Sequence, residues 1–335
     1  MQAMIKSVKF HNYKVLRQAT LPLGPFNLLI GPNGSGKSTV LKALRRGTGG
    51  ASGNIFSEVV SAGVAEADMV GIKINWGNDL DGLGTDAVYR PDGRRGMSYR
   101  GRGVNPEERS WIEVALSNMP IYTLEPRSLA APVMLEPIMV LQNNGTNLAG
   151  VLDRLRDQNP ERFEALNEEM SRWIPEFDRI LFDTPGPGQR VVVLRTPAGH
   201  KIKAHDLSDG TLLALAMLTI AYVPDPPAII GFEEPDRGLH PRLLRDVRDA
   251  LYRLAYPDAH GDKRDPVQVI ATTHSPYLLD LFKEHPEEIL IAHKVGGVAQ
   301  FERLSERSDL DDILRDVHLG EAWYSGILGG LPIES

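Results

Sequence analysis

The chain has 335 residues, 42% of them hydrophobic and 24% charged, the proportions of a soluble globular protein with room for one large domain or two lobes. Its net charge of -7 argues against a generally basic nucleic-acid coat but leaves room for a local basic patch. Cysteine is absent, which excludes disulfides, thiolate zinc sites and cysteine nucleophiles; no apolar run approaches the roughly 18 residues of a membrane span, so the expected compartment is the cytoplasm.

IKSVKF alternates polar and apolar residues and FNLLI is a short apolar run, so residues 4–30 predict two or three strands. FNLLI leads directly into GPNGSGKST (31–39), after which Val40, Leu41 and Leu44 recur at helical spacing. Residues 50–140 are rich in Gly and Pro, with β-like runs such as VGIKINW and APVMLEPIMVLQ, and read as mixed strands and loops. From 147 to 173 the pattern turns helical: NLAGVLDRLRDQ is amphipathic, and a second helix restarts with Asn159 as N-cap and Pro160 at its first position. QRVVVLRTPAGHKIKA reads as a hairpin about TPAG. Residues 208–222 predict a helix buried on most sides. AIIGF and VQVIATT suit the middle of a parallel sheet, with the amphipathic helix PRLLRDVRDALYRLA between them. Strands alternating with helices predict an α/β fold. The segment after about 305 is acidic and then Gly-rich, and is expected to be partly loose.

Gly31 to Thr39 fit the phosphate-loop pattern G-x-x-x-x-G-K-[ST], with a strand before and a helix after. Glycine lets the backbone N–H groups of Asn33, Gly34, Ser35, Gly36 and Thr39 curl around phosphate oxygens, and the helix N-terminus adds partial positive charge. In such a loop Lys37 reaches the β- and γ-phosphates and Ser38 offers its hydroxyl to Mg2+. LSDGT (207–211) opens the apolar helix with Ser208 as N-cap, and Gly210 leaves its N-terminus open to an anion. AIIGFEEP brings two carboxylates to a strand end, expected to lie beside the phosphate loop: Glu233 for the metal shell and Glu234 to orient the attacking water. TTHSP (272–276) ends the next strand and turns His274 toward the ligand crevice of an open α/β sheet, within reach of a γ-phosphate. YRPDGRRGMSYRGRG (89–103) holds five arginines and two tyrosines, a pattern able to contact nucleic acid but equally that of a solvated loop. Tyr13 and Lys14 are weaker candidates for contact with a nucleotide.

The ordered set GPNGSGKST, LSDGT, EEPDRGLHP and TTHSP resembles ABC-class ATPase heads of the RecF, SMC and OLD branch, over residues 4–282. The resemblance implies a P-loop NTPase of ABC type. Its parallel core sheet would carry an N-terminal antiparallel β lobe (1–145 and 185–335 together), with 146–184 a helical insertion leading to the signature motif. It further implies ATP and Mg2+ as cofactors and a homodimer that sandwiches two nucleotides. Ser208 and Gly210 of one copy would then cap the γ-phosphate held by Lys37 of the other. Asp236, Arg237 and Gly238 would form the loop that crosses the dimer contact, and Gln142 would sense Mg2+ and the γ-phosphate.

The sequence departs from that pattern in places. Thr211 stands where a glutamine is usual, Asp209 brings a negative charge beside the γ-phosphate position, and Glu233 replaces the commoner Asp. No coiled-coil arm is visible, and too little chain follows His274 for a Toprim nuclease. The expectation is therefore an ATPase, slow in turnover, that works with a separately encoded nuclease-like effector in anti-phage defence or on DNA or RNA, away from membranes. A RecF-like repair ATPase and a non-hydrolysing ATP-sensing scaffold are the alternatives. A transporter subunit fits EEPDRGLHP poorly, and no NKxD-type motif supports a GTPase.

Overall fold

The computed structural model describes residues 2–46, 56–63 and 68–329. In chain order the elements are β1 (Ala3–Tyr13), β2 (Leu16–Pro22), β3 (Phe26–Ile30), α1 (Lys37–Arg46), α2 (Phe56–Val59), β4 (Val70–Asn78), β5 (Leu83–Tyr89), β6 (Arg95–Gly101), α3 (Pro106–Ser117), β7 (Ile121–Tyr122), α4 (Pro126–Leu129) and β8 (Val133–Met134). There follow α5 (Leu148–Gln158), α6 (Pro160–Trp173), β9 (Arg179–Asp183), β10 (Gln189–Arg195), β11 (Lys201–Lys203), α7 (Asp209–Tyr222), β12 (Ile229–Glu233), α8 (Leu244–Ala255), β13 (Gln268–Thr272), α9 (Pro276–Asp280), β14 (Ile289–Val295), β15 (Val298–Arg303), α10 (Leu310–Asp316) and α11 (Leu319–Tyr324). They fall into two compact units: 1–121 with 227–233 and 265–335, and 122–226 with 234–264. Residues 146–184 lie wholly in the second unit, which also takes in α7 and α8.

The first unit holds two sheets. One is antiparallel, in the order β2-β1-β4-β5-β6. The other is the core sheet, β15-β14-β3-β13-β12-β7, in which β14, β3, β13 and β12 run parallel and β15 turns back antiparallel. β13 separates β12 from β3, so the carboxylate strand is one place further from the phosphate-loop strand than the sequence suggested. The register still aligns their ends: Glu233 pairs with Thr272, and Thr272 with Leu29. FNLLI and QVIAT are buried at every position, which is why they read as continuous apolar runs rather than alternating ones. Gln268 on β13, 3% exposed, fastens the two sheets together. Its Oε1 accepts from Ile5 N–H (2.8 Å), and its Nε2 donates to Ile5 O (2.7 Å) and Gly24 O (2.8 Å), so one buried amide is fully used.

Three sequence expectations change here. APVMLEPIMVLQ supplies only the two-residue strand β8, and Pro137 with its neighbours is irregular. α3 was not foreseen, although NPEE carries its signal: Asn105 and Glu108 form a reciprocal capping box with Pro106 at the first helical position. The segment after 305, expected to be partly loose, carries α10 and α11 and packs down: Leu319, Ala322, Trp323 and Leu328 are buried, and Gly320 N–H donates to Asp280 Oδ1 at 2.7 Å.

The second unit is built around α7, whose residues from Thr211 to Tyr222 are all buried. α4, α5, α6 and α8 pack on it, so its lack of a polar face reflects cover on every side. The hairpin about TPAG forms as expected, with Arg195 opposite Lys201. Asn159 precedes α6 with Pro160 at its start, but its side chain makes no cap bond. At the far end of α7, Arg162 and Arg264 donate to the carbonyls of Tyr222 (3.5 Å) and Val223 (3.2 Å). Both guanidinium groups, with that of Arg253, converge on Asp262, which is 8% exposed, at 2.8, 3.7 and 3.0 Å. Burial lowers the Arg264 pKa to about 10 against the opposing pull of Asp262. Asp262 is the carboxylate these cations share, so removing its charge leaves them facing one another. Asp262→Asn is expected to cost about 3 kcal/mol of unfolding free energy, the low end for a broken buried pair because Arg162 and Arg253 retain partial access to water. Denaturant unfolding checks this, and an unchanged midpoint would refute it.

Candidate nucleotide-binding site

In the first unit the site grows from the carboxyl ends of β3, β13 and β12. After Ile30 the chain must turn sharply against β14: a Cβ on Gly31 (φ 154°) would stand 2.2 Å from Ala292 O. Gly34 (φ 74°) and Gly36 (φ 109°) continue the turn in conformations that L side chains rarely adopt. α1 begins at Lys37 with no acidic residue in its first turn, so its N-terminal partial charge is not cancelled locally. Lys37 is 6% exposed and donates from Nζ to Gly31 O (2.6 Å) and Pro32 O (3.1 Å), folding back over the loop. The Ser35 hydroxyl is buried without a hydrogen-bond partner. Ser38 and Asn33 are exposed. A lysine and a helix N-terminus around a glycine turn form a donor set that fits a polyphosphate.

Glu233 ends β12 half-buried, its side chain 19% exposed. Its Oε1 lies 4.0 Å from Lys42 Nζ on α1. His274 follows β13 and is half-buried. The turn that carries it is fixed by Ser275 N–H donating to Thr273 Oγ1 (2.9 Å) and by Ser275 Oγ capping α9 through Leu278 N–H (3.2 Å). Lys37, Ser38, Glu233 and His274 thus share one unit and the same end of its parallel strands.

The remaining candidates belong to the second unit. Glu234 has φ 49°, the left-handed region, and is followed directly by Pro235. A branched-off side chain in that conformation costs on the order of 1–2 kcal/mol. Such a cost persists where the surroundings enforce it, often at functional sites. A tight turn follows, with Arg237 N–H donating to Glu234 O (3.0 Å) and Leu239 N–H to Asp236 O (3.2 Å). Gly238 (φ 78°) lies against α7: a Cβ there would meet Leu213 Cδ1 at 3.0 Å, and a Cβ on Gly210 would meet Gly238 O at 3.4 Å. Ser208 caps α7 as expected, its Oγ accepting from Thr211 N–H at 3.1 Å. The same Oγ lies 2.8 Å from Thr211 Oγ1, so the residue standing where glutamine is usual supports the cap. Asp209 is exposed in the first turn, where its charge favours the helix dipole. A cavity of about 440 Å³ opens beside this cap, walled by Ile174, Phe177 and Leu207 with Arg242 at its rim. Gln142 is exposed, and its N–H donates to Asn147 Oδ1 at 2.8 Å, which fixes the backbone there and leaves the side chain in solvent.

The arginine-rich hairpin is partly spent on structure. Arg100 is bonded to Asp86 (2.5 Å) and Asn75 (3.1 Å), and Arg102 to Glu108 (2.8 Å), which holds the Glu108 carboxyl below its usual range. Tyr13 is 1% exposed and lies in the core, so it does not face a ligand; Lys14 is exposed with φ 49°. Lys42 was missed by sequence reasoning, though one signal was present: it falls four residues after Ser38, on the same face of α1.

A family described as "AAA domain, putative AbiEii toxin, Type IV TA system" matches residues 26–74 and 136–280, more than half of the chain. The chain belongs to this AAA family. An AAA ATPase domain also matches residues 4–47. Among curated proteins, an OLD nuclease of Thermus scotoductus is 44% identical over 41 residues, a stretch that spans 12% of this chain and 8% of that protein. Among solved structures, an Smc head bound to the C-winged helix domain of ScpA has a TM-score of 0.65 at 18% identity, covering 92% of this chain and 99% of that one. The Smc head from Pyrococcus furiosus, bound to the C-terminal domain of ScpA, has a TM-score of 0.60 at 16% identity, covering 94% and 100%. The SMC head domain from Thermotoga maritima has a TM-score of 0.54 at 16% identity, covering 90% and 99%. At such identities the likeness establishes the fold alone: this AAA-family chain has the fold of SMC heads, the α/β head architecture that the motif set implied. Among the described residues, no helix is long and apolar enough to cross a membrane.

The strain at Glu234 is measurable apart from any activity. Glu234→Gly and Glu234→Ala remove the same carboxylate, but only alanine keeps a Cβ at φ 49°. The glycine variant should be more stable than the alanine variant by about 1 kcal/mol, the reverse of the ordinary order. Chemical unfolding of the pair decides it; alanine more stable than glycine would mean the turn is not strained.

Proposed function

We propose that this AAA ATPase binds ATP with Mg2+ at the glycine loop, hydrolyses it, and dimerises around the nucleotide to gate a separately encoded effector. The observation that carries hydrolysis is Glu234, a carboxylate kept in a strained left-handed conformation directly after the strand end that holds Glu233. The loop N–H groups from Asn33 to Thr39 and Lys37 would bind the phosphates, with Ser38 and Glu233 holding Mg2+. Bound Mg2+ would supply charge neutralisation on the phosphate oxygens. Glu234 would orient the attacking water and accept its proton, and His274 would donate a hydrogen bond to the γ-phosphate. Gln142, exposed in its own unit, is free to report on that site when a nucleotide is held.

Dimerisation is proposed because α7 offers an exposed N-cap, Ser208, and beside it Gly210, to which a second copy could bring its own nucleotide. The Gly238 turn packs on Gly210, so the Asp236–Gly238 loop and the signature cap would move together. Asp209 would oppose a γ-phosphate at this cap, which fits slow turnover. Defence against phage, with a nuclease-like subunit as effector, is the role proposed; a short stretch similar to an OLD nuclease supports the nuclease class of that partner. Action on DNA or RNA stays within it, with Arg90, Arg94 and Arg95 at the hairpin end as the contact surface.

Glu234→Gln should retain ATP binding, lose phosphate release by on the order of 100-fold or more, and accumulate as an ATP-bound dimer in light scattering. Phosphate release equal to wild type would remove Glu234 from catalysis. For the effector, the purified chain should turn over ATP while leaving DNA and RNA uncut; cleavage abolished by a substitution in this chain would overturn the two-component reading.

A further inference from the structure

Ser38 and Lys42 stand four residues apart on α1 and so share one face of it. Lys42 Nζ is 4.0 Å from Glu233 Oε1, a buried oxygen atom. A single helix face therefore carries both the hydroxyl assigned above to Mg2+ and a cation 4.0 Å from the carboxylate assigned to it. The Glu233 side chain is long enough to meet this ammonium, and at 19% exposure its charge needs a counter-charge. Lys42 is 56% exposed, on a flexible stem that can swing into water.

We propose that Lys42 is a counter-ion that a divalent cation must displace from Glu233, and that it thereby sets the Mg2+ concentration at which the site loads. The inference rests on the reading of Ser38 and Glu233 as Mg2+ ligands. A cation arriving at Glu233 meets an ammonium of like sign a few ångströms away, and the two repel. The lysine must move outward, and the work of moving it weakens metal loading. Solvent screening at a half-exposed ammonium keeps the effect moderate. A merely structural ion pair at this position would add little stability and would leave metal loading alone.

The test titrates Mg2+ against a non-hydrolysable fluorescent ATP analogue on the full chain at low salt. Lys42→Met should lower the half-saturating Mg2+ concentration by about 3–10-fold, and Lys42→Arg should stay near wild type. Affinity for the analogue in EDTA should be equal in all three, and the gap should narrow at high salt. If Mg2+ strengthens analogue binding in wild type and Lys42→Met shows the same half-saturation, the counter-ion role is overturned alone. If Mg2+ has no effect on wild type, the metal assignment of Glu233 falls, and this inference falls with it.

Discussion

The whole first unit turns on one close approach: the backbone at Gly31 passes so near Ala292 O that no side chain fits between them. That approach lets β3 end beside β14 and still curl into the phosphate loop. It also presents Gly31 O to the ammonium of Lys37, so the loop is closed by the side chain that a phosphate would later recruit. The parallel register then does the rest. With Leu29, Thr272 and Glu233 in one row, residues just beyond each strand end fall at the same rim of the sheet without long loops to bring them there. Placement by register is stiff, because each strand is buried along its length and held by its neighbours.

The second unit answers a different demand, that of keeping a helix N-terminus open. α7 is enclosed along its length and held at its carboxyl end by arginines that donate to Tyr222 O and Val223 O. Those cations also suit the negative end of the helix dipole. At the other end Ser208 satisfies Thr211 N–H, while the glycine at 210 keeps the first turn uncrowded and lets the Gly238 carbonyl approach. The turn at 234–239 packs closely on this end of the helix: a Cβ on Gly238 would stand 3.0 Å from Leu213 Cδ1, and one on Gly210 3.4 Å from Gly238 O.

How much of this was legible in the sequence depended on whether the signal was local. The glycine turn between β3 and α1, the Ser208 cap, the hairpin about TPAG and the buried strands are set by neighbours a few residues away, and sequence reasoning placed them. The insertion of β13 between β3 and β12 is a choice of strand order, invisible to a pattern that reads each strand separately. The same holds for Gln268 bridging to Ile5 and for Arg162 meeting Asp262, pairs separated by 263 and 100 positions. α3 is the opposite failure: its capping box was local and readable, but the Gly- and Pro-rich surroundings masked it. APVMLEPIMVLQ erred through composition, since apolar residues suggest a strand while Pro137 removes a ladder donor. The left-handed backbone at Glu234 could not be read from the sequence at all, because nothing about glutamate before proline announces it.

The charges around the candidate site follow from these placements rather than from the motifs alone. Asp209 looked, in sequence, like a brake on the γ-phosphate. In the fold its charge also suits the positive end of the α7 dipole, in whose first turn it stands. Glu233 looked like a lengthened aspartate. In the fold its carboxylate reaches toward α1, where Lys42 Nζ lies 4.0 Å from Oε1, four residues after Ser38 on the same helix face. A carboxylate at the end of a buried strand is costly without a cation nearby, and α1 brings the Lys42 ammonium to that distance from Glu233 Oε1.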